Sequence, residues 1–138
     1  MFSETAANRI YRLSAWWDLI VTWPFALPFT LGVLWNFGLT PLHGLTSDGA
    51  LPPLDVHAVL FGNFFGSVVV IWALVRLNWN DTRLGLYDAA GRVLFSVAMI
   101  NALMSDISLI VWVFLVPEIL WAIVQFLALY PLVKQRLA

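Results

Sequence analysis

The chain has no cysteine and very few charged residues. Of its 138 residues, 11% are charged and 62% are hydrophobic, whereas soluble domains carry about 25% charged residues. Without cysteine there is no disulfide, no thiolate metal site and no cysteine nucleophile. Because so few charges cannot cover a water-facing surface, the composition predicts an integral membrane protein with the lipid bilayer as its first partner.

Several motifs of soluble enzymes and binding proteins are also absent. The sequence contains no P-loop, no GxGxxG, no HExxH and no GxSxG. We therefore do not expect an enzyme, and we predict no catalytic residue and no required cofactor. The net charge of -1 argues against binding to nucleic acid, which needs a basic patch.

Four long apolar segments cover most of the chain, at residues 14–36, 56–79, 87–105 and 110–133. Each has about the twenty residues that a helix needs to cross a ~30 Å hydrocarbon core. None has the alternating pattern of a transmembrane barrel strand, so helices are expected. The sequence predicts one all-α transmembrane domain over 1–138, a bundle of four transmembrane helices with antiparallel neighbours.

The basic residues predict how this bundle is oriented. All seven Lys and Arg fall on one predicted side of the membrane, and the first and third connections carry none. By the positive-inside rule, both termini should be cytoplasmic, in the inner membrane of a bacterium. Pro24 and Pro28 predict a bent or locally unwound first span. Its freed carbonyls would bind a cation or accept from Thr22 and Thr30.

Polar residues inside membrane spans are costly and mark candidate sites. On the predicted cytoplasmic side, Asp18 and Arg92 lie at similar depths in the first and third spans, so we expect an ion pair between them. Asp88, four residues before Arg92, is an alternative partner on the same helix face. Such a pair fixes helix register or forms part of a proton or ion pathway, and the sequence leaves both open.

A second set of polar residues is predicted in the outer half of the bundle. His57, Asn63, Asn101 and Glu118 are expected to converge there as a ligand site, or to have structural and capping roles. A carboxylate beside a histidine can relay protons, bind a metal or hold a polar headgroup. No metal site is predicted. Haem is not expected either, because His43 lies in a loop rich in proline and glycine.

Small residues at a spacing of four lie along one face of the second span: Ala58, Gly62 and Gly66. This pattern predicts a close contact with another helix, either inside the bundle or in a dimer. Ala98 and Ala102 of the third span are the expected facing surface. We expect this contact to bring Asn63 to a polar partner, Asn101 or Glu118.

Three stretches carry a resemblance to a known group of proteins: "YRLSAWWDLI" (11–20), "YDAAGRVLF" (87–95) and "PEILWAIVQ" (117–125). With the four-span layout, they resemble the small bacterial inner-membrane proteins of the DoxX-like type. Some DoxX-type proteins are subunits of quinone-linked oxidoreductases, so the resemblance implies contact with a quinone or a redox partner. It implies no particular functional residue.

Three functions remain open at this point. The first is a non-catalytic accessory or structural subunit of a bacterial inner-membrane complex, with other membrane subunits or further copies of this chain as partners. The second is a protein that binds a quinone, a lipid or a similar amphiphile in the outer half, with Glu118 as the proton-accepting group. The third is a small oligomeric transporter or channel that uses Asp18 and the bent first span.

Overall fold

The computed structural model describes residues 3–46, 50–79, 81–105 and 107–137. In these ranges the regular structure is helical, with no β-strand, so the predicted all-α class is confirmed. The helices are α1 (Glu4–Thr22), α2 (Pro28–Leu34), α3 (Thr40–Thr46), α4 (Val56–Asn78), α5 (Thr82–Leu103) and α6 (Val111–Leu137). Helices α4, α5 and α6 are long and apolar enough to cross a membrane, and α1 to α3 would make a fourth, bent span.

Short polar side chains begin three of these helices. Ser3, Asp55 and Asp81 each accept a hydrogen bond from a backbone N–H in the first turn of α1, α4 and α5. The cap on α5 starts that helix at Thr82, five residues before the predicted span. Arg92 is therefore about 15 Å from the first residue of α5, near the middle of the helix, and deeper than its place in the predicted span suggested.

The first apolar segment is broken by 97° between Phe25 and Pro28. Proline lacks a backbone N–H, and the residue before Pro28 is extended, so the helix stops and restarts. The Thr30 hydroxyl donates to the carbonyls of Pro24 (2.7 Å) and Leu27 (3.0 Å). Residues 14–36 are therefore two helical pieces joined at the bend that the prolines predicted.

Helix α4 lies directly against this break. A Cβ atom at Gly66 would overlap the backbone of Phe25, and one at Gly62 would lie 2.8 Å from Leu31 Cδ2. The two glycines thus let the broken backbone approach α4 closely. Ala58, the third small residue of the row, is exposed in the first turn of α4.

Polar side chains of α4 also bind the freed carbonyls of the break. Asn63 Nδ2 donates to the Phe25 carbonyl (2.8 Å), and Ser67 Oγ donates to the Ala26 carbonyl (3.4 Å). Asn63 lies three residues before Gly66 and four before Ser67, so it shares a helix face with each of them. The break therefore provides a backbone surface that an unbroken helix would not offer.

The partners predicted for this face of α4 were wrong. The glycines contact the broken first segment, whereas Ala98 of α5 is exposed. Asn63 bonds a carbonyl, whereas Asn101 is exposed and Glu118 bonds an arginine. A proline break leaves strong backbone acceptors that need a donor, and α4 supplies it.

The extent of packing differs between pairs of the four long helical segments. At one end of the bundle, α1 and α6 form a core of Ala7, Tyr11, Ala128 and Leu129. The Tyr11 hydroxyl donates to the Trp79 carbonyl (2.8 Å), which ties the start of α1 to the end of α4. Helix α5 packs mainly on α6, and α4 mainly on α1. Over the described residues the backbones of α4 and α5 make little direct contact, and a cleft lies between the two helices.

Candidate functional site

Charged side chains from all four long helical segments meet in the interior of the bundle. They are Asp18 of α1, Arg76 of α4, Asp88 and Arg92 of α5, and Glu118 of α6. We call these five residues the buried ion cluster. Arg76 is 0% exposed and Arg92 is 2% exposed. A charge buried this deeply is tolerated only when it is paired and hydrogen-bonded.

Arg92 lies at the centre of the cluster. Its Nη2 donates to both carboxylate oxygens of Asp18 (2.6 and 2.7 Å). Its Nε donates to Asp88 Oδ2 and Gln125 Oε1 (3.0 Å each), and its Nη1 donates to Glu118 Oε2 (3.0 Å). The two partners that the sequence offered as alternatives, Asp18 and Asp88, therefore bind Arg92 at the same time.

Arg76 is a second cation that the sequence analysis did not single out. Its guanidinium bonds the Asp18 carboxylate, Asp88 Oδ2 (2.7 Å) and Ser14 Oγ (3.2 Å). Arg76 is only two residues from the end of α4, so from the sequence alone it would be expected at the membrane interface. Its side chain instead extends into the bundle and bonds Asp18 and Asp88. Charge counting could have found it, since two buried aspartates need more than the one arginine that was predicted.

Two neutral side chains complete the bonding of Asp88. Gln125 Nε2 donates to Asp88 Oδ2 (2.8 Å) and to Ser14 Oγ (2.6 Å), and Trp72 Nε1 donates to Asp88 Oδ1 (2.8 Å). Gln125 was also missed. The sequence pattern that could have indicated it is the spacing of seven residues from Glu118, which places both residues on one face of α6.

The buried ion cluster holds more negative than positive charge. Among the described residues it brings three carboxylates against two guanidiniums. Asp18 and Asp88 each bond both arginines, whereas Glu118 bonds Arg92 through Oε2. The Glu118 side chain is also the most exposed of the three carboxylates, at 19%. The surplus negative charge is therefore best assigned to Glu118.

The cleft between α4 and α5 leads to this cluster. It has a volume of about 290 Å³, and its floor is formed by Asp18, Asp88, Arg92 and Glu118. Its walls are apolar and aromatic, from Phe65, Val68, Val69 and Trp72 of α4 and from Tyr87, Gly91 and Phe95 of α5. Val68 and Tyr87 are exposed at the rim. The cleft thus opens through the side of the bundle.

The structure does not bring together the four residues predicted to form an outer site. His57 is exposed in the first turn of α4, and Asn101 is exposed near the end of α5. Asn63 binds the broken first segment. Glu118 lies about 10 Å along α6, because the helix begins seven residues before it, and it joins the buried ion cluster.

The second histidine lies near the opposite end of the bundle from Tyr11 and Trp79. His43 is buried on α3, and its Nδ1 is 2.6 Å from Ser108 Oγ, in the connection before α6. In the described part of the chain, no group of three or more His, Asp or Glu residues is arranged to hold a metal ion.

No protein-family model, no curated protein and no solved structure matches this chain. The fold and the site together define its class. It is an all-helical bundle with three to four helices able to span a membrane, and charged side chains meet in its interior. The DoxX-like resemblance stays a prediction.

Proposed function

We propose that this protein is a multi-pass membrane protein that binds a small amphiphile in the cleft between α4 and α5. The ligand's polar headgroup would lie against the buried ion cluster. The observation that carries the proposal is a cleft with apolar walls, open at the side, whose floor is charged. This is the second function considered from the sequence, with its site in the middle of the bundle and not in the outer half.

The size of the cleft limits what it can hold. Its volume of about 290 Å³ is just below the range for drug-sized ligand sites, roughly 300–1,000 Å³. A headgroup or a single ring fits this space, and an attached chain would leave between the exposed rim residues Val68 and Tyr87.

The charged floor gives a physical reason for a ligand. In a bilayer, acyl chains would be the other neighbours of this cleft, and they cannot hydrogen-bond to Glu118, which has the most exposed carboxylate of the buried ion cluster. Facing polar groups toward hydrocarbon costs free energy unless they gain a partner. A polar headgroup at the floor removes this cost, while its apolar part contacts the walls.

The experiment tests this proposal by blocking the cleft with a bulky side chain. A Cβ atom at Gly91, which lines the cleft, has no heavy atom within 4 Å, so Gly91→Phe would place a ring in the cleft without a backbone clash. Gly32→Phe is the matched control, since Gly32 has the same open space on α2. After purification in mild detergent, mass spectrometry should find a bound amphiphile in wild type and Gly32→Phe, and not in Gly91→Phe. Equal amounts in all three, or none in wild type, would contradict the proposal.

A role as an accessory subunit is a second proposal, favoured by the same gap. Because the backbones of α4 and α5 make little direct contact over the described residues, a helix of a partner subunit could lie over the opening of the cleft between them. Gly91→Phe would then release a protein in place of a small molecule. Proteomics on the same three preparations distinguishes the two proposals.

A further inference from the structure

We infer that the ligand of this cleft is a lipophilic organic cation whose charge is balanced by Glu118. The inference rests on the proposed function, since it specifies the chemistry of the headgroup that the cleft would hold. Three features of the site lead to it: the charge balance of the buried ion cluster, the bonding of Arg92 to all three carboxylates, and the aromatic lining of the cleft.

The charge balance favours a positive headgroup. Three carboxylates face two guanidiniums among the described residues, which leaves one negative charge uncompensated. Asp18, Asp88 and Glu118 all line the cleft, and Glu118 has the most exposed of these side chains. In the low dielectric of a membrane interior this surplus acts strongly over the few ångströms to a bound headgroup.

The arginines leave little room for a negative headgroup. All three nitrogens of the Arg92 guanidinium already donate to Asp18, Asp88, Glu118 or Gln125. Arg76 is fully buried behind the aspartates that it bonds. Arg76 Nε has no hydrogen-bond partner among the described residues, but Arg76 does not line the cleft and is 0% exposed. A carboxylate or phosphate entering the cleft would therefore meet three carboxylates and one guanidinium, that of Arg92, which is already bonded to all three of them.

The lining of the cleft matches the apolar shell of an organic cation. Four aromatic residues line the cleft beside its charged floor: Phe65, Trp72, Tyr87 and Phe95. The face of an aromatic ring attracts a cation, and protein sites for quaternary ammonium groups use this attraction. A small metal ion would not use these rings, whereas a trimethylammonium group would contact both the rings and the Glu118 carboxylate.

The test compares three ligands that share a ten-carbon chain and differ in the charge of the headgroup. Radiolabelled decyltrimethylammonium, decanol and decanoate are dialysed to equilibrium against the full chain in a neutral maltoside detergent. Gly91→Phe protein in the same micelles gives the background of partitioning. Wild type should bind the ammonium compound at least tenfold more tightly than decanol, with decanoate at background. Glu118→Gln should weaken binding of the ammonium compound at least tenfold more than it weakens binding of decanol.

Each result decides one of the two proposals. Equal binding of decanol and the ammonium compound, or a preference for decanoate, overturns the cation while the cleft remains a ligand site. Binding of all three ligands that is identical in wild type and Gly91→Phe overturns the ligand site as well. The comparison of headgroups uses the wild-type protein, so the inference stays testable if Glu118→Gln does not fold.

Discussion

Arg92 holds the buried ion cluster together through bonds to three carboxylates and an amide. Replacing it with Gln would leave those three carboxylates with Arg76 alone as their cation. Removing one partner of a buried charge network costs about 3–5 kcal/mol, so Arg92→Gln should lower the unfolding free energy by about that amount. Denaturant unfolding in mixed micelles, followed by tryptophan fluorescence, measures this change.

Arg83 provides the matched control for this prediction. It lies on the same helix and pairs with Asp81, but its side chain is 65% exposed. Exposed ion pairs contribute little to stability because solvent screens them. Arg83→Gln should therefore unfold at nearly the wild-type denaturant concentration, and an equal loss in both variants would mean that burial does not set the importance of these pairs.

The sequence revealed some members of the cluster and hid others. Asp18, Asp88 and Arg92 were predictable, because each is a charge inside an apolar segment and their depths agree. Arg76 was hidden by its place next to a polar turn. The sequence left open whether Glu118 lies at the interface or up to about 10 Å deep, because the start of the fourth span was uncertain. Its bond to Arg92 was not predicted. The direction of the Arg76 side chain and the partner of Glu118 depend on how the helices pack together.

The broken first segment is held by its contact with α4, and Gly66 is the closest point of that contact. A methyl group there would overlap the backbone around Phe25. Gly66→Ala should therefore destabilise the protein by about 1–3 kcal/mol, as overpacking does elsewhere. Gly91→Ala, where the added methyl meets open space, is the matched control. Thermal unfolding of the two variants should differ clearly, with only Gly66→Ala falling below wild type.

The bend also fixes where α3 lies. Phe25 contacts α4 at Gly66, and Gly66 lies ten residues after the first residue of α4. A straight helix would carry His43 about 27 Å beyond Phe25, past the start of α4, whereas in the bent segment His43 contacts Ser108.

Since the chain has no native cysteine, a cysteine pair reports this contact cleanly. His43→Cys with Ser108→Cys should be joined by a short bismaleimide in native membranes, and a protease cut between residues 46 and 108 should then leave one band on a gel. The two single-cysteine variants are the controls. Two separate fragments from the double variant would mean that the first segment is not bent in this way.

The prolines made the bend in the first segment predictable, but not which residues of α4 contact it. Nothing in the pattern of α4 marks Asn63 and Ser67 as partners for a backbone, because a polar residue near two glycines reads as an ordinary helix contact. The angle and the docking surface arise only when both segments are packed together. The apolar segments of the sequence therefore predicted the helices, whereas the contact between the broken first segment and α4 depended on backbone geometry.

At the scale of the whole molecule, the remaining question is orientation. Arg9, Arg12, Arg83 and Lys134 are exposed at the end of the bundle where α1 and α5 begin and α6 ends. The positive-inside rule predicts that this end faces the cytoplasm. In intact bacterial cells, a membrane-impermeant maleimide should therefore label Thr46→Cys on α3 and not Arg83→Cys. Labelling of Arg83→Cys in intact cells would reverse the proposed topology, and labelling of both after lysis is the control.

The side opening of the cleft affects how any ligand would reach it. The rim residues Val68 and Tyr87 are exposed. With α4 and α5 spanning a bilayer as proposed, the route to the floor would run through the membrane phase and not through water. Occupancy would then follow the mole fraction of the compound in the bilayer. Two compounds with the same fit would differ in apparent potency according to their partition coefficients, and diluting the membrane with extra lipid would lower occupancy at a constant aqueous concentration.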